Sequence, residues 1–139
     1  MKVLRTHRLT RESALRVALV LLGAVCLALG PLMLVWPAGW RWTPHHAHYE
    51  QMIVGLYFTL GVFLIRASRD PLQHLSIIWF AVCSSIVHAS IMAVQALTNP
   101  EHHAHLVADV PALLLAAAVL GLLTPRRQPP VVPLPIQAT

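Results

Sequence analysis

The chain has 139 residues, 57% of them hydrophobic and 11% charged, with a formal charge of +5. Soluble domains carry about a quarter charged residues, so an ordinary water-soluble domain is excluded. The basic residues lie beside apolar runs, which points to orientation in a membrane and away from nucleic acid.

A helix that crosses a bilayer needs about 20 mostly apolar residues. The first candidate is Leu15–Trp36, preceded by the basic segment MKVLRTHRLTRESALR. That arrangement looks like a signal peptide, but the apolar run passes Gly30 and reaches Trp36, longer than a signal core. An uncleaved first helix over roughly residues 12–36 is expected. The tetrapeptide GAVC at 23–26 is a poor lipoprotein box, because Val25 is too large before the cysteine. Cys26 and Cys83 are single cysteines in apolar surroundings and read as packing residues. The loop WPAGWRW that follows supplies Trp36, Trp40 and Trp42, residues suited to a membrane interface.

The second helix is expected over roughly 44–67, opened by Thr43-Pro44. Its apolar part, Met52–Ile65, is short and spans only if HHAHYE forms its first turns. The third is expected over roughly 71–98 and the fourth over roughly 100–123. Asp70-Pro71 and Asn99-Pro100 each read as an N-cap followed by proline at the first helical position. The Pro-rich tail at 128–139 should be an extended end that packs against nothing. Short loops favour antiparallel neighbours, so the expected fold is all-α: a four-helix transmembrane bundle, up-down-up-down.

Four spans place Lys2, Arg5, Arg8, Arg11, Arg16, Arg66, Arg69, Arg126 and Arg127 on one side and only Arg41 on the other. Basic loops stay in the cytoplasm, so both termini are expected there. The same topology puts seven of the nine histidines in the outer half: His45, His46, His48, His88, His102, His103 and His105. The tetrapeptide HHAH occurs twice, at 45–48 and 102–105, each time leading into an apolar run. Beyond those four letters the two halves match poorly.

Depth follows from counting along the hairpins. A turn centred near Arg69 pairs Glu50 with His88, and a turn near Asn99 sets His88 level with Val110, within about 2 Å of Asp109 at about 1.5 Å per residue. His105 stands one turn above Asp109, and Tyr57 two turns below Glu50. Ser84, His88 and Gln95 form a stripe on the third helix that should face inward, since polar groups are costly against lipid. The expectation is an outward-opening pocket with Glu50, Tyr57, Ser84, His88 and Asp109 as ligand-binding residues. A transition metal, zinc or copper, would be held by His45, His48, His88, His102, His105 and Asp109. Titrating histidines suit proton relay equally. Haem would need two axial histidines at one depth, and only His88 is deep on the outer side. No HExxH or CxxC is present.

Each residue also has a structural reading. The HHAH copies serve as polar first turns at the headgroups, and His88 as a bond between helices. Glu50 reaches the headgroups. Asp109 caps a helix restarting there, since Pro111 leaves the Val107 carbonyl unpaired.

The segments WPAGWRW (36–42), YEQMIVGLYFTLGVFLI (49–65), RDPLQH (69–74), IWFAVCSSIVHASIMAVQAL (78–97) and HLVADVPALLLAA (105–117) carry a family resemblance. The chain resembles a bacterial family of small four-span membrane proteins of unknown function, loosely related to the DoxX-like group. The resemblance implies a multi-pass protein of the bacterial inner membrane and lends no catalytic residue. The functional expectation is an outward-facing His/carboxylate site for a small ligand. The alternatives are an accessory or structural membrane subunit, and a membrane enzyme on a lipid or isoprenoid substrate with Glu50, His88 and Asp109 as acid–base groups. Its partner is the bilayer, with a second copy or a larger membrane complex left open.

Overall fold

A computed structural model describes the backbone of residues 2–35, 47–99 and 103–125, and the side chains of 10–33, 35, 51–99 and 103–125. All elements among the described residues are helical: α1 (Lys2–Val35), α2 (Ala47–Ala67), a 3-10 turn (Pro71–Gln73), α3 (Leu75–Thr98), α4 (Ala104–Val107) and α5 (Asp109–Leu123). Three stretches are long and apolar enough to cross a membrane: Thr10–Met33, Leu75–Thr98 and Ala104–Leu123. The apolar part of α2, Gln51–Ala67, is shorter. Large apolar side chains such as Leu21, Phe58, Phe63, Ile91, Leu115 and Leu122 point outward. Water would not tolerate so continuous an apolar surface, whereas lipid does. The chain is therefore suited to a bilayer and to lipid contact.

Helix α1 starts well before its apolar run. Arg and Leu are good helix formers, so the helix extends through the charged lead-in, where Arg16 pairs with Glu12 at 2.7 Å and i,i+4 spacing. Hydropathy locates the span, and helix propensity sets where the helix begins. Pro31 lies inside α1, which continues to Val35.

The predicted helix starts need correction at two places. Pro71 opens a 3-10 turn, and α3 begins only at Leu75, with His74 in the capping position. Asp70 caps nothing with its side chain; its Oδ2 accepts instead from Gln73 Nε2 at 2.7 Å. The fourth helix is not continuous. It breaks at Ala108 (φ −111°, ψ −70°), where α4 ends and α5 begins. Pro111 lacks the N–H that would reach the Val107 carbonyl, and the ladder resumes with Ala112 N–H to Ala108 O at 3.2 Å. Asn99 ends α3 rather than only preceding a helix. Thr43-Pro44, Pro100, the three loop tryptophans and the tail at 128–139 lie outside the described residues.

Helix α1 packs along α2 and α3 along α5, with further contact between α1 and α5 and between α2 and α3. At the arginine end the four come together. Leu15 and Leu19 of α1, Leu64 and Ala67 of α2, Ile78, Ala81 and Val82 of α3, and Ala117 and Leu120 of α5 share one core. Arg11 closes that end: its Nε donates to Leu123 O at 3.1 Å and its Nη2 to the Leu122 and Thr124 carbonyls, satisfying the end of α5. Towards the histidine end the second cluster among the described residues, Ala89, Met92 and Val110, joins α3 and α5. Among the described residues, packing is thus shared by four helices at one end and looser between α2 and α3 at the other.

Candidate functional site

The looser end holds the polar groups. Tyr57 on α2 and His88 on α3 meet with the phenol oxygen 2.8 Å from Nδ1, their rings 5.9 Å apart and tilted by 53°. Both are half-buried. Beside them a cleft of about 140 Å³ lies between α2 and α3, with Ser84 and Ser85 at its polar end and Ile53, Leu56, Leu60 and Phe80 along its apolar walls. Ser84, Ser85 and His88 share a face of α3 because they lie three and four residues apart. Ser84 Oγ donates to Ala81 O at 3.2 Å, which uses its hydrogen and leaves its oxygen as an acceptor.

A second pair stands at the break in the fourth helix. His105 Nδ1 is hydrogen-bonded to Asp109 Oδ2 across Ala108. Their side chains are 18% and 36% exposed, so the pair is neither fully buried nor fully solvated. Asp109 is in the first turn of α5, where the helix dipole favours a carboxylate. The helix does restart at Asp109, yet Ala108 occupies the capping position and no side-chain cap bond forms. Asp109 Oδ2 bonds to His105 instead.

Val110 and Ala89, the chain neighbours of Asp109 and His88, pack in the same cluster. Cys26, expected as a packing residue, is buried at 4% exposure. Ser85 is a cleft residue absent from the expected site. The adjacency of Ser84 and Ser85, with His88 one turn on, was the available signal.

The hairpin count needs adjusting. The α2–α3 connection turns at the 3-10 segment beginning with Pro71. Counting from there sets His88 opposite Val54, with Tyr57 about one turn to one side and Glu50 about one turn to the other. Glu50 and His48 have their backbones in α2, and their side chains lie outside the described residues, as do His45, His46 and His102 entirely. Gln95 departs from the inward stripe: it is exposed, one turn from the end of α3. Among the described residues, no three of His, Cys, Asp and Glu are gathered closely enough to hold a metal ion.

Residues 10–129 match a family of unknown function, DUF6632. The chain belongs to that family. The match takes in Tyr57, Ser84, His88, His105 and Asp109, so both polar pairs fall within the DUF6632 region. No curated protein and no solved structure matches the chain.

Proposed function

We propose that this DUF6632 protein is a four-helix, up-down-up-down bundle of the bacterial inner membrane that binds a small ligand in its outer half. Both termini lie in the cytoplasm in this reading, because nine of the ten Lys and Arg residues then face inward. The likeness to the DoxX-like group belongs to the same proposal. The observation that carries it is the Tyr57–His88 hydrogen bond beside an open cleft. A polar pair at membrane depth that served only to join helices would be expected in closed packing. Here it borders space. Glu50, one turn above, and Asp109, level with His88, supply the carboxylates.

Native mass spectrometry of the detergent-purified protein tests this. A bound small molecule or ion should be found in wild type and lost in His88→Leu. An empty wild-type protein would sink the ligand reading and leave the accessory-subunit reading, with Tyr57 and His88 as a helix tie.

A second reading, favoured by the His105–Asp109 pair, is a transition metal ion in place of an organic ligand. A carboxylate on one imidazole nitrogen sets the tautomer in which the other can ligate a metal. His45, His48, His88, His102 and Asp109 complete the donor set. Replacing His45, His46, His48, His102, His103 and His105 with Asn should remove bound zinc or copper while the protein still inserts. Metal retained in that variant, or absent from wild type, removes the metal reading.

A further inference from the structure

The cleft beside Tyr57 and His88 opens sideways. Ile53, Leu56 and Phe80 border it and are 44%, 65% and 55% exposed, on faces of α2 and α3 that carry other outward apolar side chains. Its mouth therefore meets lipid tails. From this we propose that the ligand is a bilayer-resident, chain-bearing molecule whose head is an uncharged oxygen acceptor such as a ketone or ester carbonyl. The proposal rests on the ligand-binding reading above and names the class of ligand and its route of entry.

Size argues for a head and not a whole molecule. The cleft measures about 140 Å³. A cavity of about 150 Å³ takes one benzene, so a carbonyl and a few carbons fill the space and a longer chain must trail through the mouth into the bilayer. Chemistry selects the head. One hydrogen lies between the Tyr57 hydroxyl and His88 Nδ1. If the phenol donates it, the neutral imidazole keeps N–H at Nε2; if Nδ1 donates it, the phenol keeps its O–H. In either neutral arrangement the pair has one donor left over, which an acceptor head takes, while the phenol oxygen and Ser84 Oγ keep acceptor capacity for a second polar atom. The walls are largely aliphatic, so a charged head would be poorly solvated there while a carbonyl bond to that donor gains strength from the low dielectric. Among the described residues, the second cluster at this end joins α3 and α5 and leaves α2 outside it, which lets a chain enter between α2 and α3.

The test uses the full-length protein in vesicles of phosphatidylethanolamine and phosphatidylglycerol containing a long-chain ketone with a diazirine next to its carbonyl. After illumination, labelled peptides are mapped by mass spectrometry. Label should concentrate on residues 53–60 and 80–88. It should fall about tenfold in Ser85→Trp, which fills the cleft and leaves Tyr57 and His88 in place. Leu56→Trp, at the exposed mouth, should lower it as well without disturbing buried packing. Label spread evenly over outward faces such as Phe63 and Leu115, or unchanged by both tryptophans, overturns the proposal. If the ketone fails to label the cleft while native mass spectrometry still finds a His88-dependent ligand, lipid entry falls and the ligand-binding reading stands. If both fail, both fall.

Discussion

Gly23 and Gly61 press against each other where α1 crosses α2. A methyl group placed on Gly61 would lie 2.7 Å from the Gly23 carbonyl oxygen, and one on Gly23 would lie 2.9 Å from the Gly61 carbonyl oxygen. In lipid there is little hydrophobic drive between helices, so close backbone approach at small residues supplies the contact. Each glycine is there because the other helix occupies the space a side chain would need.

That contact separates three glycines by outcome. Gly61→Ala should destabilise by about 1–3 kcal/mol, the usual range for overpacking a tight site. Gly23→Ala should behave alike, since its methyl would also meet Ile65 Cγ1 at 2.7 Å. Gly55 has nothing within 4 Å of such a methyl, so Gly55→Ala should be neutral or stabilise α2 by up to about 1 kcal/mol through helix propensity. Thermal unfolding in one detergent orders the three. Equal behaviour of Gly61→Ala and Gly55→Ala would show that α1 and α2 do not cross here.

Arg11 makes a second separable contribution. Its guanidinium reaches the carbonyls of Leu122, Leu123 and Thr124, where the last turn of α5 lacks intrahelical partners. A cation at a helix C-terminus is worth up to about 1 kcal/mol at an exposed site. Arg11→Ala should lose about that much, and Arg11→Lys, which keeps the charge but not the planar fork, should lose less. Unfolding temperature against salt separates the two parts, since the charge contribution weakens as salt rises. An Arg11→Ala protein as stable as wild type at low salt would remove the cap.

Orientation has its own test. A reporter active only outside the cytoplasm should be silent after Arg127 and active when inserted near Arg41. Its reversal would turn the histidine end towards the cytoplasm and with it the proposed site.

The helical character and the apolar spans were legible because a bilayer sets a length and a composition that a run such as Leu75–Thr98 meets openly. The break before α5 was also legible, as an alternative, because proline at 111 removes one known hydrogen bond. Two things were not. The start of α3 was misjudged because Asp70-Pro71 suits a 3-10 turn as well as an α-helix, and the choice turned on Gln73 reaching back to Asp70. That displaced turn then shifted the register against α2, so the neighbour of His88 became Tyr57, which the sequence had placed two turns below Glu50. Counting along hairpins gives height to within about a turn. It does not give facing, and Gln95, expected inward from its stripe with Ser84 and His88, is exposed.

The Tyr57–His88 pair can be asked whether it is a tie or a site. Tyr57→Phe removes the hydroxyl and leaves the ring, and His88→Leu removes the imidazole at similar volume. Hydrogen bonds between membrane helices couple by about 0.6 kcal/mol on average and reach about 1.7 kcal/mol. A double-mutant cycle on unfolding free energy should therefore return about that coupling, because the second change loses nothing once the first has removed the bond. A tie would show up in stability alone. A site would show more: Tyr57→Phe should release the small molecule seen by native mass spectrometry while the protein stays folded, since one modest bond is all that folding loses. Zero coupling would mean that the two groups do not meet. Full coupling with ligand retained in Tyr57→Phe would leave the pair a tie between α2 and α3 and move the search for the binding group to Glu50 and Asp109.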